Sequence, residues 1–174
     1  MSAFVPFESD DEIVAIGRGL VARTLPKAQW THAAHFASAL WLMECRPEGC
    51  GGVGRVGDLA SHPKAQRTRF RMGHLLPEAD ETHTLPGLIR AYNEATGVAN
   101  TDSSGYHETI TRASLRVART FREERAELPL FMVCNELMAS PLGRSDWVLR
   151  HWSREVLFSV EARRGWVAPD LLGL

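Results

Sequence analysis

Two histidines three positions apart, His32 and His35 in the run Trp30-Thr31-His32-Ala33-Ala34-His35, hold the side chains best suited to chemistry, together with a second cluster, Tyr106-His107-Glu108-Thr109. A pair at i, i+3 puts two imidazoles on one helix face, close enough for one first-row metal ion to accept both. Two ligands do not complete a site. Helix bundles build metal centres from inward-facing His and Glu side chains on neighbouring helices, which makes His107 and Glu108 the natural supplements. His32, His35 and His107 are therefore the candidate ligands of a divalent metal, whether zinc, iron or nickel, and Glu108 is the candidate catalytic acid–base or fourth ligand. Tyr92, Asn93 and Thr111 are of the right type to touch a ligand or to orient the histidines, with Tyr92 and Asn93 as the ligand-binding candidates.

The competing interpretation is structural. A histidine on an apolar helix face is more often a core residue whose nitrogens are satisfied by hydrogen bonds than a metal ligand, so a buried polar network stands beside the metal or acid–base site. At about 100° per residue, His107 falls about 80° from the centre of its apolar stripe and can turn inward, whereas Glu108 projects near the opposite side. There it can complement the positive end of the helix without any ligand. A packed tyrosine and a surface asparagine are the structural readings of Tyr92 and Asn93.

Other clusters carry less chemistry. His62, His74 and His83 with Cys45 and Cys50 match none of the compact ligand spacings of a structural zinc module. Gly49 to Gly54 has no following Lys-Ser/Thr and no preceding strand, so it is not a phosphate loop. Cys134 lies in an apolar run and reads as inert core, and no nucleophile-elbow motif supports Ser-His-Asp hydrolysis.

The elements that must position these residues are helical. Ser9-Asp10-Asp11-Glu12 has the form of a capping box, and Ile13, Ile16, Leu20 and Val21 recur at helical spacing, which predicts a first helix over 10–24 ended by Pro26. A second helix starts at Pro26 or is capped by Thr31, and its stripe of Phe36, Leu40 and Met43 carries both histidines to the interior or its edge. Periodicity then fails, and 45–84 reads as a long loop or partly disordered insertion between helices two and three, with a short helix over 64–72 as an alternative. Leu85-Pro86 to Gly97 brackets helix three, and Tyr106, Ile110, Ala113, Val117 and Phe121 define helix four, starting just before His107. Pro129 opens a short apolar helix closed by Ser140-Pro141. Ser145 then caps a last long helix running to Gly165, and an apolar tail packs back on the bundle.

No segment alternates with period two and no fixed-period repeat is present. The expected fold is all-α, a single-domain bundle of about five or six helices over residues 1–174. With 44% hydrophobic and 24% charged residues and a formal net charge of −1, the chain has no global field to draw nucleic acid or anionic membrane. No apolar run approaches the ~18 residues of a membrane span, and the N-terminus lacks the basic and apolar regions of an export signal. Three cysteines without disulfide-like density fit reduced thiols, and the expected compartment is the cytoplasm.

The phrases Trp30-Thr31-His32-Ala33-Ala34-His35, Ile89-Arg90-Ala91-Tyr92-Asn93 and Tyr106-His107-Glu108-Thr109-Ile110-Thr111, with the ending from Ala162-Arg163 to Leu171, together resemble a family of small, uncharacterised, mostly bacterial proteins. The resemblance spans most of the chain apart from about 45–84. It implies a common fold and points to His32, His35, Tyr92, Asn93, His107 and Glu108 as signature positions, without implying an activity. The bundle is also loosely similar to DinB-like helical proteins, whose metal is held by histidines from separate helices, although the histidine spacing here departs from theirs.

Three functions are therefore carried forward: a divalent-metal protein or small enzyme using His32, His35, His107 and Glu108; a metal-free module binding a small molecule through its histidines, Tyr92 and Glu108; and an interaction or homodimerisation protein using Trp147, Trp152 and Trp166.

Overall fold

The second helical segment is the one around which the others are arranged, and its composition explains why. In the computed structural model, which describes residues 4–44 and 84–174, α2 (His32–Glu44) is apolar on almost every side. Ala33, Ala34, Phe36, Ala37, Ser38, Ala39, Leu40 and Trp41 are all buried, so the helix is covered all round rather than along one stripe. The alanines and Ser38 leave room for close neighbours. α1 (Asp10–Ala22), α4 (Glu108–Glu123) and α5 (Leu130–Ala139) all pack directly on α2. At Gly17 of α1 an added Cβ would run into the indole of Trp41, so the closest approach of α1 and α2 depends on a missing side chain.

α3 (Leu85–Ala95) packs on α1, and the described chain after α5 includes two short α-helical turns, α6 (Arg154–Leu157) and α7 (Val160–Arg164), with α7 against α4. Seven α-helical segments and no strand are found among the described residues, as the absence of period-two alternation predicts. None of these helices is long and apolar enough to cross a membrane. Ile13, Leu20, Phe36, Leu40, Tyr92, Val133, Leu137, Trp152 and Leu157 form a single core cluster, which also holds Cys134. Burial pushes the Cys134 thiol up to about 12, as an inert core cysteine requires. The stretch expected to be irregular lies outside the described residues except for Thr84, and with it lie Cys45, Cys50, His62, His74 and His83.

Boundaries follow local chemistry. Thr31 accepts from the amide of Ala34 at 3.2 Å and so caps α2, while Pro26 leads into a separate 3-10 turn, Lys27–Gln29. Thr84 caps α3, with Pro86 in its first turn and Gly97 beyond its end at φ 76°. At α1 the capping box does not form: Ser9 makes no side-chain cap bond, and the carboxylate of Glu12 accepts instead from the amide of Glu8 at 2.7 Å. Asp10 turns to another helix and accepts from the amide of Phe131 in the first turn of α5 at 2.8 Å. Asn135 pairs with both backbone groups of Phe7, fastening the N-terminal segment to α5.

One expected helix is absent. The long segment from Ser145 to Gly165 is broken into the 3-10 turn Trp147–Arg150, α6 and α7. Two serines cause the breaks. Ser153 accepts from the amide of Val156 at 3.2 Å and Ser159 from that of Ala162 at 3.1 Å, so each starts a new helix with an extended backbone at its own position.

Candidate functional site

A cleft of about 280 Å³ lies between four parts of the fold. α2 contributes His32, His35, Phe36 and Ala39; α3 contributes Leu85 and Ile89; α4 contributes Ile110, Thr111 and Ser114; and the chain after α5 contributes Ser145, Trp147 and Val148. Starting α2 at His32 sets the arrangement, because it puts both imidazoles in the first turn, at the end of the helix that faces α3 and α4 across the cleft. Its apolar lining is interrupted by two imidazoles and three hydroxyls. That is the usual composition of a small-molecule site.

Each imidazole is fixed by a carbonyl. Nδ1 of His35 lies 2.7 Å from the Thr31 carbonyl oxygen, and since a carbonyl only accepts, Nδ1 carries the proton. In the neutral ring Nε2 is then a lone-pair acceptor, and it makes no hydrogen bond among the described residues. Nε2 of His32 donates in the same way to the Leu142 carbonyl at 3.1 Å, which leaves its Nδ1 as the acceptor. The ring of His35 lies on Trp30 with centroids 3.9 Å apart, Trp30 in turn contacts the ring of Tyr92 at 5.2 Å, and His32 meets Phe36 edge-on at 5.1 Å. Burial holds the His35 imidazole below its ordinary value, against the opposing pull of the Thr31 carbonyl, and nearby His32 lowers it further.

The second histidine cluster serves a different purpose. His107 is buried and uses both ring nitrogens: Nε2 donates to the Leu157 carbonyl at 2.9 Å, and Nδ1 accepts from the amide of Ile110 at 3.4 Å as the N-cap of α4. A nitrogen that donates to a carbonyl and another that caps a helix leave no lone pair for a metal. Burial is the main reason the His107 imidazole is held below its ordinary value, and the Arg163 charge adds to it. His107 does not line the cleft. No group of three or more His, Cys, Asp or Glu side chains that could hold a metal ion occurs among the described residues, so the donor set does not fit the three-histidine centre expected from the spacing.

Glu108 is also occupied. Its Oε2 accepts from the Tyr106 hydroxyl at 2.8 Å and pairs with Arg90 at 3.1 Å, while Oε1 lies 3.9 Å from Arg112 one turn along α4. The Arg90 guanidinium also covers the Tyr106 ring at 4.1 Å. Burial and the Glu108 carboxylate push the Tyr106 phenol up, so it remains a donor. This is a closed network at a helix start, with the acid where the helix dipole favours it. Glu108 does not line the cleft, which removes the geometry a general acid–base would need.

Tyr92 and Asn93 are held by the fold as well. The Tyr92 hydroxyl donates to the Leu25 carbonyl at 3.0 Å from a ring that is 1% exposed. Asn93 donates to the side chain of Asn100 at 2.9 Å, and Asn100 in turn spans the Arg90 carbonyl and the amide of Tyr106. Neither faces the cleft. Thr111 does, and with Ser114 it was within reach of sequence reasoning, since Ile110, Thr111 and Ser114 share one side of α4 by their spacing. Ser145 and Leu142 offered no such signal, because they arrive from the chain after α5, far from the histidines in sequence. No family model, no curated protein and no solved structure matches this chain.

Proposed function

We propose that this protein is a helical module that binds a small molecule in the cleft beneath His32 and His35. The observation that carries the reading is the convergence of two imidazoles, each with one nitrogen tied to a backbone carbonyl, on the same apolar cleft as Thr111, Ser114 and Ser145. Tying one nitrogen fixes the tautomer and the ring plane, so the other is offered to an incoming group with its direction already set. The cleft volume of about 280 Å³ is at the small end of ligand sites, which begin at roughly 300 Å³, and suits a compact molecule.

A fragment screen on isotopically labelled protein tests this. Binding should move the methyl resonances of Ile89 and Ile110 and the ring resonances of His35 together. Fragments that bind only elsewhere, or an absence of any fragment that moves these three, would refute it.

A second reading keeps His32 and His35 as a two-imidazole divalent-metal site, supported by the same carbonyl-anchored nitrogens, which is how ligating histidines are commonly oriented. Elemental analysis of untagged protein separates the two. Stoichiometric zinc, iron or nickel that is lost on replacing both residues would favour the metal.

A further inference from the structure

We infer that the ligand of this cleft is a small, neutral aromatic molecule that donates one N–H or O–H hydrogen bond to Nε2 of His35, an inference that rests on reading the cleft as a ligand site. The polarity of the bond follows from the backbone. Because the Thr31 carbonyl accepts from Nδ1 of His35, Nε2 can only accept while the ring is neutral. The partner group must therefore be a donor. Burial, which lowers the pKa of this imidazole, keeps the ring in that acceptor form at neutral pH.

The described walls offer no partner for a charged ligand. Among the described residues, no titratable side chain apart from the two imidazoles lines the cleft. Arg90 of α3 and Glu108 and Arg112 of α4 engage one another and Tyr106. Among the described lining residues, a carboxylate ligand would meet the lone pair of Nε2 without a cation to balance it, and an ammonium ligand would find no carboxylate. Size and shape follow from the remaining residues. An apolar cavity of about 150 Å³ holds benzene, so a cleft of about 280 Å³ has room for a fused bicyclic ring. The rings of Phe36 and Trp147 offer aromatic faces or edges to it, and the hydroxyls of Thr111, Ser114 and Ser145 can take up polar substituents.

The experiment compares three probes of similar size on the full chain: indole, which is neutral with a donor; benzothiophene, which is neutral without one; and 2-naphthoate, which is charged. Indole should bind, move the pyridine-like nitrogen resonance of His35, and bind about ten-fold more tightly than benzothiophene, the loss expected when one hydrogen bond is removed. 2-Naphthoate should bind more weakly than indole. A His35→Phe variant, shown by circular dichroism to keep its helix content, should bind indole and benzothiophene equally. Should that variant unfold, the nitrogen shift in the wild-type protein decides alone. Benzothiophene binding as tightly as indole, 2-naphthoate binding more tightly, or indole leaving the His35 nitrogen unmoved would overturn the inference. If those outcomes come with other fragments still moving Ile89, Ile110 and His35, only the ligand class is wrong; if no fragment moves them, the binding function fails too.

Discussion

The imidazole of His35 lies on the indole of Trp30, with ring centroids 3.9 Å apart and planes inclined by 34°. This contact connects the cleft to the core, because Trp30 also touches Tyr92, whose hydroxyl anchors the chain at Leu25. It makes the protonation of His35 visible. A protonated imidazole against an indole quenches its fluorescence, so tryptophan emission should fall on acidification with a midpoint below the ordinary histidine value of 6.5. The acid-dependent part of the quenching should vanish in His35→Phe. An unchanged acid titration in that variant would count against the contact.

The same imidazole and that of His107 set the pH dependence of stability. Both have folded values lowered mainly by burial, so the unfolded chain binds more protons in the window below 6.5. Their contribution is complete above that value and is lost as pH falls through the folded values. Denaturant midpoints should be flat from pH 8 to about 7 and drop below about 6.5, before carboxylates titrate. A midpoint that rises on acidification through this range would show that the burial argument has the wrong sign.

His107 should behave as a structural residue. Replacing it with Ala removes a cap, worth about 1 kcal/mol, and strands the Leu157 carbonyl, so the total loss should be about 2–3 kcal/mol. His107→Asn can keep the cap and should recover part of it. Ligand affinity, or metal content if the protein carries metal, should be unaltered below the melting transition in His107→Ala and in Glu108→Gln. Loss of either in a variant that remains folded would return these residues to the site.

How far the sequence reveals this arrangement depends on the range of the interactions. The helices around residues 10–22, 32–44, 85–95, 108–123 and 130–139 are legible, because periodic apolar residues and local breakers such as Pro26, Gly97 and Ser140-Pro141 mark them within the chain. His32 and His35 are legible as a pair for the same reason: their spacing alone places them on one face. The use of their nitrogens is not legible, because it depends on which carbonyl lies opposite. Leu142 is over a hundred residues from His32, and Leu157 is fifty residues from His107. The break in the last helix was present in the sequence as Ser153 and Ser159. Apolar periodicity through Trp152, Val156 and Val160 hides it, because each serine can either face solvent within a helix or start a new one.

The close approach of α1 to α2 gives a sharp packing test. Ala is a better helix former than Gly by about 1 kcal/mol, so Gly17→Ala would stabilise an unpacked helix. Here the added methyl meets the Trp41 ring, and the net effect should be a loss of about 1–3 kcal/mol. Adding Trp41→Leu should relieve the clash, so the double variant should be more stable than the sum of the single changes predicts. Additive free energies in that cycle would mean that Trp41 moves aside freely.

Thr109 carries the most exacting of these tests, because its hydroxyl joins α4 to the C-terminal segment as both donor and acceptor. Its hydroxyl donates to the Gly165 carbonyl at 2.7 Å and accepts from the amide of Val167 at 3.1 Å, from a side chain with no exposure. Val has nearly the same shape and neither function, so Thr109→Val leaves both backbone groups without their partner. The cost should be about 2–3 kcal/mol, near the upper end for a single buried polar deletion. Ser keeps the hydroxyl and should lose only the methyl contribution, about 1 kcal/mol. Hydrogen exchange separates a local from a global effect. Thr109→Val should speed exchange at the Val167 amide well beyond the change at core amides of α2, and Trp152, whose indole N–H donates to the Val167 carbonyl at 3.1 Å, should lose protection with it. Equal acceleration everywhere would mean that the segment does not open on its own, and Thr109 would then act through global stability rather than as the fastening of the C-terminal segment.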